Sequence, residues 1–324
     1  MQMTILGLGQ IGASFGLALA GQTTNVERVG YDSQLERSRQ AQKIGAIDRI
    51  STNLPDAVKN ADIIVLALPV DEIRDTLQTI ASVLPERCVI LDTSPIKSST
   101  SQWANQILPK ERFYITFTPA LNPIYLNEED GETVNAHADL FKNGIITITA
   151  PPDVEPDAIR LTSDITRLLG AQPLFTDPLE SDGLIAASHL LPKLTAIALL
   201  NATIDQPGWR EGQKLAGKAY AQATQPALSL DETKEFGQSA ILNRENVLRA
   251  LDNLIAALYS LRSAIEARDS KALTELIQHA RQGREVWWKH RQARDWEVHP
   301  ATEIPGSSEV FARMIGLRSG KKPK

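Results

Sequence analysis

A glycine-rich turn near the start of the chain constrains the fold more than any other feature. Gly7, Gly9 and Gly12 form a G-x-G-x-x-G pattern that follows an apolar segment and precedes an alanine- and leucine-rich helical pattern. A second predicted strand, 26–31, ends at Asp32, which lies 20 positions after Gly12. The pattern alone could be a structural turn, but this context is typical of a dinucleotide-binding βαβ unit.

Each part of this unit has a physical role in binding a dinucleotide. Gly7 permits the tight turn, Gly9 lets the backbone approach a pyrophosphate, and Gly12 lets the helix pack close to the strand. The free N–H groups at the helix N-terminus attract phosphate. We therefore expect the cofactor contacts to come from Gly7, Leu8, Gly9, Gln10, Ile11 and Gly12.

The acidic residue predicts which dinucleotide is preferred. Asp32 can accept hydrogen bonds from the ribose hydroxyls, and a carboxylate repels the 2′-phosphate of NADP, so NAD is favoured. Ser33, Arg37 and Arg39 follow it and could allow NADP, although a solvated helix face explains the two arginines more simply.

Apolar runs at 61–69 and 88–92 predict strands that are buried on both faces of a parallel sheet. Ligands bind beyond the carboxyl ends of such strands. We therefore expect Leu68, Pro69 and Val70 to lie beside the cofactor.

Ser94 and Pro95 follow the second of these strands and predict a helix N-cap with proline at the first helical position. The helix should run to about residue 108. Ser94 either only caps this helix or also lies near the nicotinamide end of the cofactor, and both roles are compatible.

A further strand, 113–117, leads into a non-helical loop that begins with Thr118 and contains Asn122, a candidate substrate contact. An acidic surface segment is predicted at 127–132. The remaining predicted elements of this domain are strands at 145–149 and 172–176 and a helix at 159–169.

Composition limits the class of protein. The chain has 324 residues, 42% of them hydrophobic, and a net charge of −5. This size predicts two domains, and the charge predicts no attraction to nucleic acid or to an anionic membrane. Cys88 is the only cysteine, which fits a reducing cytoplasm. We read no signal peptide and no metal site.

After residue 177 the strand signals stop and helical periodicity begins. We predict a Rossmann domain at 1–177, a helical domain at 178–298 and a tail at 299–324. The most apolar stretch, 179–204, predicts a buried helix that is kinked at Pro192 rather than a membrane span. His189 and Lys193 lie four residues apart and could line a cleft, although His189 could equally be a hydrogen-bonded core residue.

An apolar stripe in the helical domain predicts either intramolecular packing or a homodimer interface, and we favour the homodimer. The stripe consists of Val247, Leu251, Leu254, Leu258, Leu261 and Ile265. A short basic and aromatic segment at 281–296 could bind nucleic acid, but the acidic balance of the chain argues against it.

The order of these features resembles the prephenate and arogenate dehydrogenase family. The matching parts are the fingerprint, the 61–69 strand, Asp92-x-x-x-x-Lys97, 140–151, Ser188-His189-Leu190 and 243–247. The resemblance implies a doubly wound α/β domain, an all-α dimerisation domain and an active site in the cleft between them. It also implies NAD(P)-dependent oxidation of the hydroxyl-bearing ring carbon of prephenate or arogenate, which is a step of tyrosine biosynthesis.

The positions that carry the chemistry depart from the family pattern. Thr118-Pro119 stands where the family has His-Pro, and that histidine takes the proton of the substrate hydroxyl. The family serine falls at Pro95, with Ser94 adjacent. The family's His-Leu-Pro-His reads 189–193 here, with one residue inserted.

The segment that supplies the family's substrate-binding arginine, 217–223, contains Lys218 as its only cation. We therefore predict that the cofactor is retained and that the substrate or the chemistry differs. Ser94 and Thr118 would orient a hydroxyl, His189 or Lys193 would act as acid/base, and Lys193 or Lys218 would hold a carboxylate.

Two classes of function follow. The chain is an NAD(P)-dependent dehydrogenase of a cyclic or 2-oxo acid, or it is a cofactor-binding homodimer that has lost this activity and serves as a sensor or partner-binding protein. A different reaction on a prephenate-like substrate is a third reading.

Overall fold

The computed structural model describes residues 1–22, 26–126, 133–151, 154–228 and 233–293. These residues contain one eight-stranded sheet in the order β3-β2-β1-β4-β5-β6-β7-β8. The strands are β1 (Gln2–Leu6), β2 (Glu27–Tyr31), β3 (Arg49–Ile50), β4 (Ile63–Leu66), β5 (Val89–Asp92), β6 (Phe113–Pro119), β7 (Ile145–Thr149) and β8 (Gln172–Phe175).

Helices alternate with these strands. They are α1 (Gln10–Leu19), α2 (Leu35–Lys43), α3 (Leu54–Val58), α4 (Val70–Ile80), α5 (Ser98–Ile107) and α6 (Pro156–Leu168). All pairs of neighbouring strands are parallel except β6 and β7, which are antiparallel. The first six strands follow the order of a dinucleotide-binding Rossmann sheet, so the predicted fold class is confirmed.

Alternation along the central strands explains why the sheet has helices on both faces. Ile5 belongs to one hydrophobic cluster and its neighbour Leu6 to the other. In β5, Leu91 and Ile90 are divided in the same way. Successive side chains of a strand point to opposite faces, so a strand that is apolar throughout requires a core on each side.

The chain divides into two compact units. The first contains Met1–Asp182 and Lys234–Ser239, and the second contains Gly183–Thr233 and the described residues from Ala240 onward. The domain boundary predicted after residue 177 stays a prediction. The remaining helices are α7 (Pro178–Ile185), α8 (Leu191–Thr203), α9 (Trp209–Gly212), α10 (Lys218–Thr224), α11 (Thr233–Leu242), α12 (Arg244–Glu266) and α13 (Ser270–Ala293).

The long apolar helix is continuous from Pro178 to Thr203 and contains a π-helical turn at Ala186–Leu190. This turn lies immediately before Pro192, which has no N–H to donate and whose ring crowds the preceding turn. The kink predicted at Pro192 stays a prediction.

This helix is less buried than predicted. Leu179 is 72% exposed and Leu184 is 51% exposed, and 22% of its most apolar window is buried. By length and composition it is the one described helix that could cross a membrane.

Thr118 and Pro119 extend strand β6 and do not belong to a loop. The acidic segment 127–132 and the tail 299–324 lie outside the described residues.

Candidate active site

The fingerprint turn has no room for side chains at two of its glycines. A Cβ on Gly7 would lie 2.2 Å from the carbonyl oxygen of Ala67, and Gly7 has a φ of +87°. A Cβ on Gly12 would lie 1.9 Å from the carbonyl oxygen of Gly7. The close approach of helix and strand therefore requires glycine at both positions.

Helix α1 begins directly after Gly9, without a side-chain cap and without an acidic residue in its first turn. Its N–H groups and positive dipole end are thus available for an anion. Asp32 lies beside the turn, where one carboxylate oxygen accepts the N–H of Leu8 at 2.8 Å and the other accepts the N–H of Gln34 at 2.8 Å. This cradle fits the pyrophosphate and the adjacent ribose of a dinucleotide.

A segment that is distant in sequence is hydrogen-bonded to this turn. The hydroxyl of Thr133 donates to the carbonyl oxygen of Leu8, and the side-chain amide of Gln10 donates to the carbonyl oxygen of Asn135 at 3.0 Å. The N–H of His137 donates to the hydroxyl of Ser14 at 3.0 Å. We call residues 133–137 the strap. Leu8 and Gln10 are buried, so the structure uses them to attach the turn to the strap.

The segment after strand β4 contains two half-buried residues followed by a buried one. Leu68 and Pro69 are half-buried, and Pro69 is the N-cap residue of α4. Val70 is the first residue of α4 and is completely buried. Leu68 and Pro69 therefore keep surface that a cofactor could contact, whereas Val70 packs in the core.

The loop after strand β5 is built around the carboxylate of Asp92. One of its oxygens accepts the N–H of Ser94 at 2.8 Å, and the other accepts the Ser94 hydroxyl at 2.8 Å. An aspartate that accepts from the residue two positions later forms a turn of its own. The prediction that Ser94 caps a helix is therefore wrong, because α5 begins only at Ser98 and Lys97 is its N-cap residue.

The N-terminus of α5 receives its cap from another part of the unit. The carboxylate of Asp182 accepts the N–H of Lys97 at 2.7 Å and the N–H of Ser98 at 3.0 Å. Asp182 is 3% exposed. A charged acceptor at two orphan N–H groups stabilises the first turn of α5 and fixes the preceding loop.

Lys97 is fully buried behind this loop, and its ε-amino group donates to the carbonyl oxygen of Ser94. The hydroxyl of Thr118 donates to the same oxygen at 3.1 Å. Burial lowers the pKa of Lys97 to about 8, although the charges of Asp92 and Asp182 act in the opposite direction. Tyr114 donates to Asp92 at 2.7 Å, and burial raises the pKa of Tyr114 well above its ordinary value.

Asn122 is 2% exposed, and its side chain is used within its own loop. The amide nitrogen donates to the carbonyl oxygen of Asp139 at 3.1 Å, and the amide oxygen accepts the N–H of Ile124 at 3.3 Å. These bonds cap the short helix Pro123–Tyr125. The structure thus gives Asn122 a role in shaping the loop.

The predicted site residues of the second unit lie on α7 to α10. His189 belongs to the π-helical turn and is exposed, and its Nδ1 lies 2.9 Å from the Ser188 hydroxyl. It is therefore not a core histidine. Lys193 is half-buried on α8, and Lys218 is the exposed first residue of α10.

Residues 15–173 match the family described as prephenate dehydrogenase, nucleotide-binding domain. The glycine turn lies just before this matched range. The nucleotide-binding unit belongs to the prephenate dehydrogenase family. The prediction of a Rossmann domain is confirmed, and the family description agrees with the predicted binding of a nucleotide.

Relatives of this prephenate dehydrogenase family match most of the chain. A cyclohexadienyl dehydrogenase from Zymomonas mobilis is 25% identical over 285 residues, which are 87% of this chain and 94% of that protein. A prephenate dehydrogenase from Bacillus subtilis is 23% identical over 289 residues, which are 88% of this chain and 76% of that protein.

Solved structures share the fold. A prephenate dehydrogenase from A. aeolicus in complex with hydroxyphenyl propionate and NAD+ has a TM-score of 0.79 at 20% identity, covering 88% of this chain and 97% of that chain. An arogenate dehydrogenase from Synechocystis has a TM-score of 0.71 at 21% identity, covering 89% of this chain and 100% of that chain.

Several polar residues that the structure places at this site had no role predicted from the sequence. Asp92 and Lys97 were visible as ionisable residues at the end of a buried strand, which is a signal that could have been used. Asp182 and Thr133 gave no local signal, because their partners lie 85 and 125 residues away.

Proposed function

We propose that the chain is an NAD(P)-dependent dehydrogenase that oxidises the hydroxyl-bearing carbon of a cyclic carboxylic acid such as prephenate or arogenate. The observation that supports this best is the combination of an intact dinucleotide cradle with a polar loop at the ends of the adjacent strands β5 and β6. Ser94 lies in the loop after β5 and Thr118 lies near the end of β6, and these are the two hydroxyls expected to orient the substrate.

The cradle residues would hold the cofactor in the family's manner. Gly9 and Ile11 keep exposed surface at the turn, and Asp32 would accept the ribose hydroxyls. When bound, the nicotinamide supplies the hydride acceptor. NAD is our first choice because of Asp32, and Arg39 does not change this, since it pairs with Glu36 at 3.5 Å on an exposed helix face.

We propose catalytic and substrate-binding roles for three residues of the second unit. The His189 imidazole and the Lys193 ammonium are candidates for acid/base catalysis, because both side chains keep solvent-accessible surface. Lys218 and Lys193 are candidates for binding the substrate carboxylate. Each assignment rests on residue type and on the resemblance of their segments to the family motifs.

We also propose a homodimer formed through the helical domain of 178–298. On α12, Val247 is buried, whereas Leu258 is 55% exposed and Ile265 is 62% exposed. An apolar stripe of this length on a helix surface is typical of a subunit interface. The exposed leucines of α7, Leu179 and Leu184, fit the same interface. We also propose a cytoplasmic location, with which the buried free thiol of Cys88 agrees.

A second candidate is a cofactor-binding protein without dehydrogenase activity, such as a sensor. Thr118 favours it, since a threonine hydroxyl is not a base near neutral pH and the family has histidine there.

One assay distinguishes the two functions. Purified protein is titrated with NADH and NADPH by fluorescence and is then given NAD or NADP with prephenate, arogenate or other cyclic hydroxy acids. Binding with reduction of the cofactor supports the dehydrogenase. Binding without reduction of either cofactor by any of these acids contradicts it and supports the sensor, and a failure to bind either dinucleotide contradicts both.

A further inference from the structure

The geometry around Ser94 bears on which group replaces the missing histidine. Lys97 and Thr118 donate to one shared acceptor, the Ser94 carbonyl oxygen, so their donor atoms are separated only by that oxygen. Lys97 is completely buried, whereas Thr118 is half-buried and retains accessible surface. Thr118 thus contacts the carbonyl oxygen that the buried amine also contacts, and it keeps surface that a ligand could reach.

The surroundings of Lys97 suit a neutral amine better than an ammonium ion. An ammonium ion has three protons to donate, but among the described residues its nitrogen has one hydrogen-bond acceptor, the carbonyl oxygen of Ser94. Two carboxylates act on it, Asp92 at the end of β5 and Asp182 of α7, and the Tyr114 hydroxyl of β6 donates to Asp92. Within the described part of the chain, neither carboxylate forms an ion pair with Lys97.

The two carboxylates are committed to other donors. Asp92 accepts from Ser94 and from Tyr114. Asp182 accepts the N–H groups of Lys97 and Ser98. A buried lysine without a close counter-ion loses its proton more readily than an exposed one. The lowered pKa of Lys97 agrees with this arrangement.

We propose that the ε-amino group of Lys97, reached through the Thr118 hydroxyl, takes up the proton of the substrate hydroxyl. The Thr118 hydroxyl first turns from the Ser94 carbonyl oxygen, its acceptor in the structure, to the neutral Lys97 amine. The proton of the substrate O–H then passes to the Thr118 oxygen while the proton of Thr118 passes to that amine. The electron pair of the broken O–H bond stays on the substrate oxygen and forms the carbonyl as the hydride leaves for the oxidised nicotinamide cofactor. Thr118 is unchanged and Lys97 becomes an ammonium ion.

This inference rests on the proposed function, because it requires a substrate hydroxyl to be oxidised. The test is the pH dependence of kcat/KM from pH 6 to 10 for the full chain and four variants. They are Thr118→Val, Thr118→Ser, Lys97→Met and the double variant Thr118→Val with Lys97→Met. Thr147→Val is the matched control, since the Thr147 hydroxyl donates to the Thr118 carbonyl oxygen and takes no part in the relay.

The relay predicts a specific set of results. Activity of the unaltered chain should rise with pH around a midpoint near 8, because only the neutral amine accepts a proton. Thr118→Val and Lys97→Met should each lose about 100-fold or more in kcat, the usual contribution of acid/base catalysis. The double variant should lose no more than either single variant, since residues that act as one unit are not additive. Thr118→Ser restores the hydroxyl and should recover most of the activity that Thr118→Val loses. Thr147→Val should keep the activity of the unaltered chain within about threefold.

Several results would overturn the relay. Multiplicative losses in the double variant, or an acidic limb that persists in Lys97→Met, would show that Lys97 is not the proton acceptor. A Lys97 pKa above 10, measured by NMR on lysine-labelled protein with NADH bound, would do the same. NADH affinity and thermal unfolding of each variant establish that it is folded. If the unaltered chain oxidises no acid, the proposed function fails first, and the relay fails with it.

Discussion

The Thr133 hydroxyl donates a 2.6 Å hydrogen bond to the carbonyl oxygen of Leu8, inside the glycine turn, across 125 residues of sequence. Thr133 is completely buried. Thr133→Val keeps the shape of the side chain but leaves the Leu8 carbonyl without this donor, at a cost of about 1–3 kcal/mol. We expect the Kd for NADH to rise by about tenfold, measured by fluorescence titration.

Two comparisons separate positioning of the turn from general destabilisation. AMP lacks the pyrophosphate linkage between two nucleotides, so its affinity should change by less than about twofold in Thr133→Val. Thr162→Val is the matched control, because Thr162 is equally buried and its hydroxyl bonds only within α6. Equal losses for NADH and AMP would contradict a specific role of the strap at the phosphate site.

Asp32 is expected to set the choice of dinucleotide. Asp32→Asn retains an oxygen that can accept from the backbone but removes the charge that repels a 2′-phosphate. The ratio of the Kd values for NADPH and NADH should fall by about tenfold or more, which is about 1.4 kcal/mol. An unchanged ratio would mean that Asp32 does not face the ribose and only supports the turn at Leu8 and Gln34.

Lys97 should reduce the stability of the fold at neutral pH. Its pKa falls from 10.5 in an exposed state to about 8 in the folded chain. The folded state therefore binds fewer protons than the unfolded state between these values, and stability is lost as the pH falls from 10.5 to 8. The difference corresponds to about 3 kcal/mol.

Lys97→Met removes this cost with a side chain of similar length. The variant should be more stable than the unaltered chain at pH 7, by up to about 3 kcal/mol, and the gain should shrink as the pH approaches 10. Urea unfolding at several pH values measures it. A destabilised variant at pH 7 would mean that Lys97 is held as an ion by its carboxylate neighbours.

Asp182 is expected to stabilise the first turn of α5. Asp182→Asn keeps one acceptor oxygen but removes the charge that faces the N–H groups of Lys97 and Ser98, so the free energy of unfolding should fall by about 1–2 kcal/mol. Asp177→Asn is the comparison, because Asp177 caps α7 through Leu179 and Glu180 in an exposed position. It should cost less than about 1 kcal/mol.

The proposed dimer can be tested on helix α12. Leu258→Glu places a charge in the middle of the apolar stripe and should weaken association by at least about tenfold, measured by analytical ultracentrifugation. Ser260→Glu adds the same charge on the opposite, polar side of the helix and should leave association unchanged. Equal behaviour of the two variants, or a monomeric unaltered chain, would contradict an interface at this stripe.

The sequence was sufficient for the parts of the fold that depend on local patterns. The βαβ unit follows from the glycine spacing, and the strands β4 and β5 follow from apolar runs that only a two-sided core can bury. The predicted bounds of β7 also agree with those observed, and the apolar stripe 247–265 lies within α12.

The arrangement of the site depends on contacts that no local pattern encodes. Ser94-Pro95 has the residues of a helix start, but the Asp92 carboxylate binds both the N–H and the hydroxyl of Ser94, and the helix begins four residues after it. The caps and hydrogen bonds supplied by Asp182 and Thr133 come from distant segments. The relation of Lys97 to Thr118 requires two neighbouring strands to be placed side by side.

The π-helical turn at Ala186–Leu190 has room for the extra residue that the family resemblance implies in this helix. One additional residue in a regular α-helix would rotate every later side chain by about 100°, which would displace the whole face that follows. A wider turn accommodates the added residue within one loop of backbone, so the helix beyond it retains its original rotational phase. We therefore propose that Lys193 occupies the angular position that the resemblance gives to the family's second histidine.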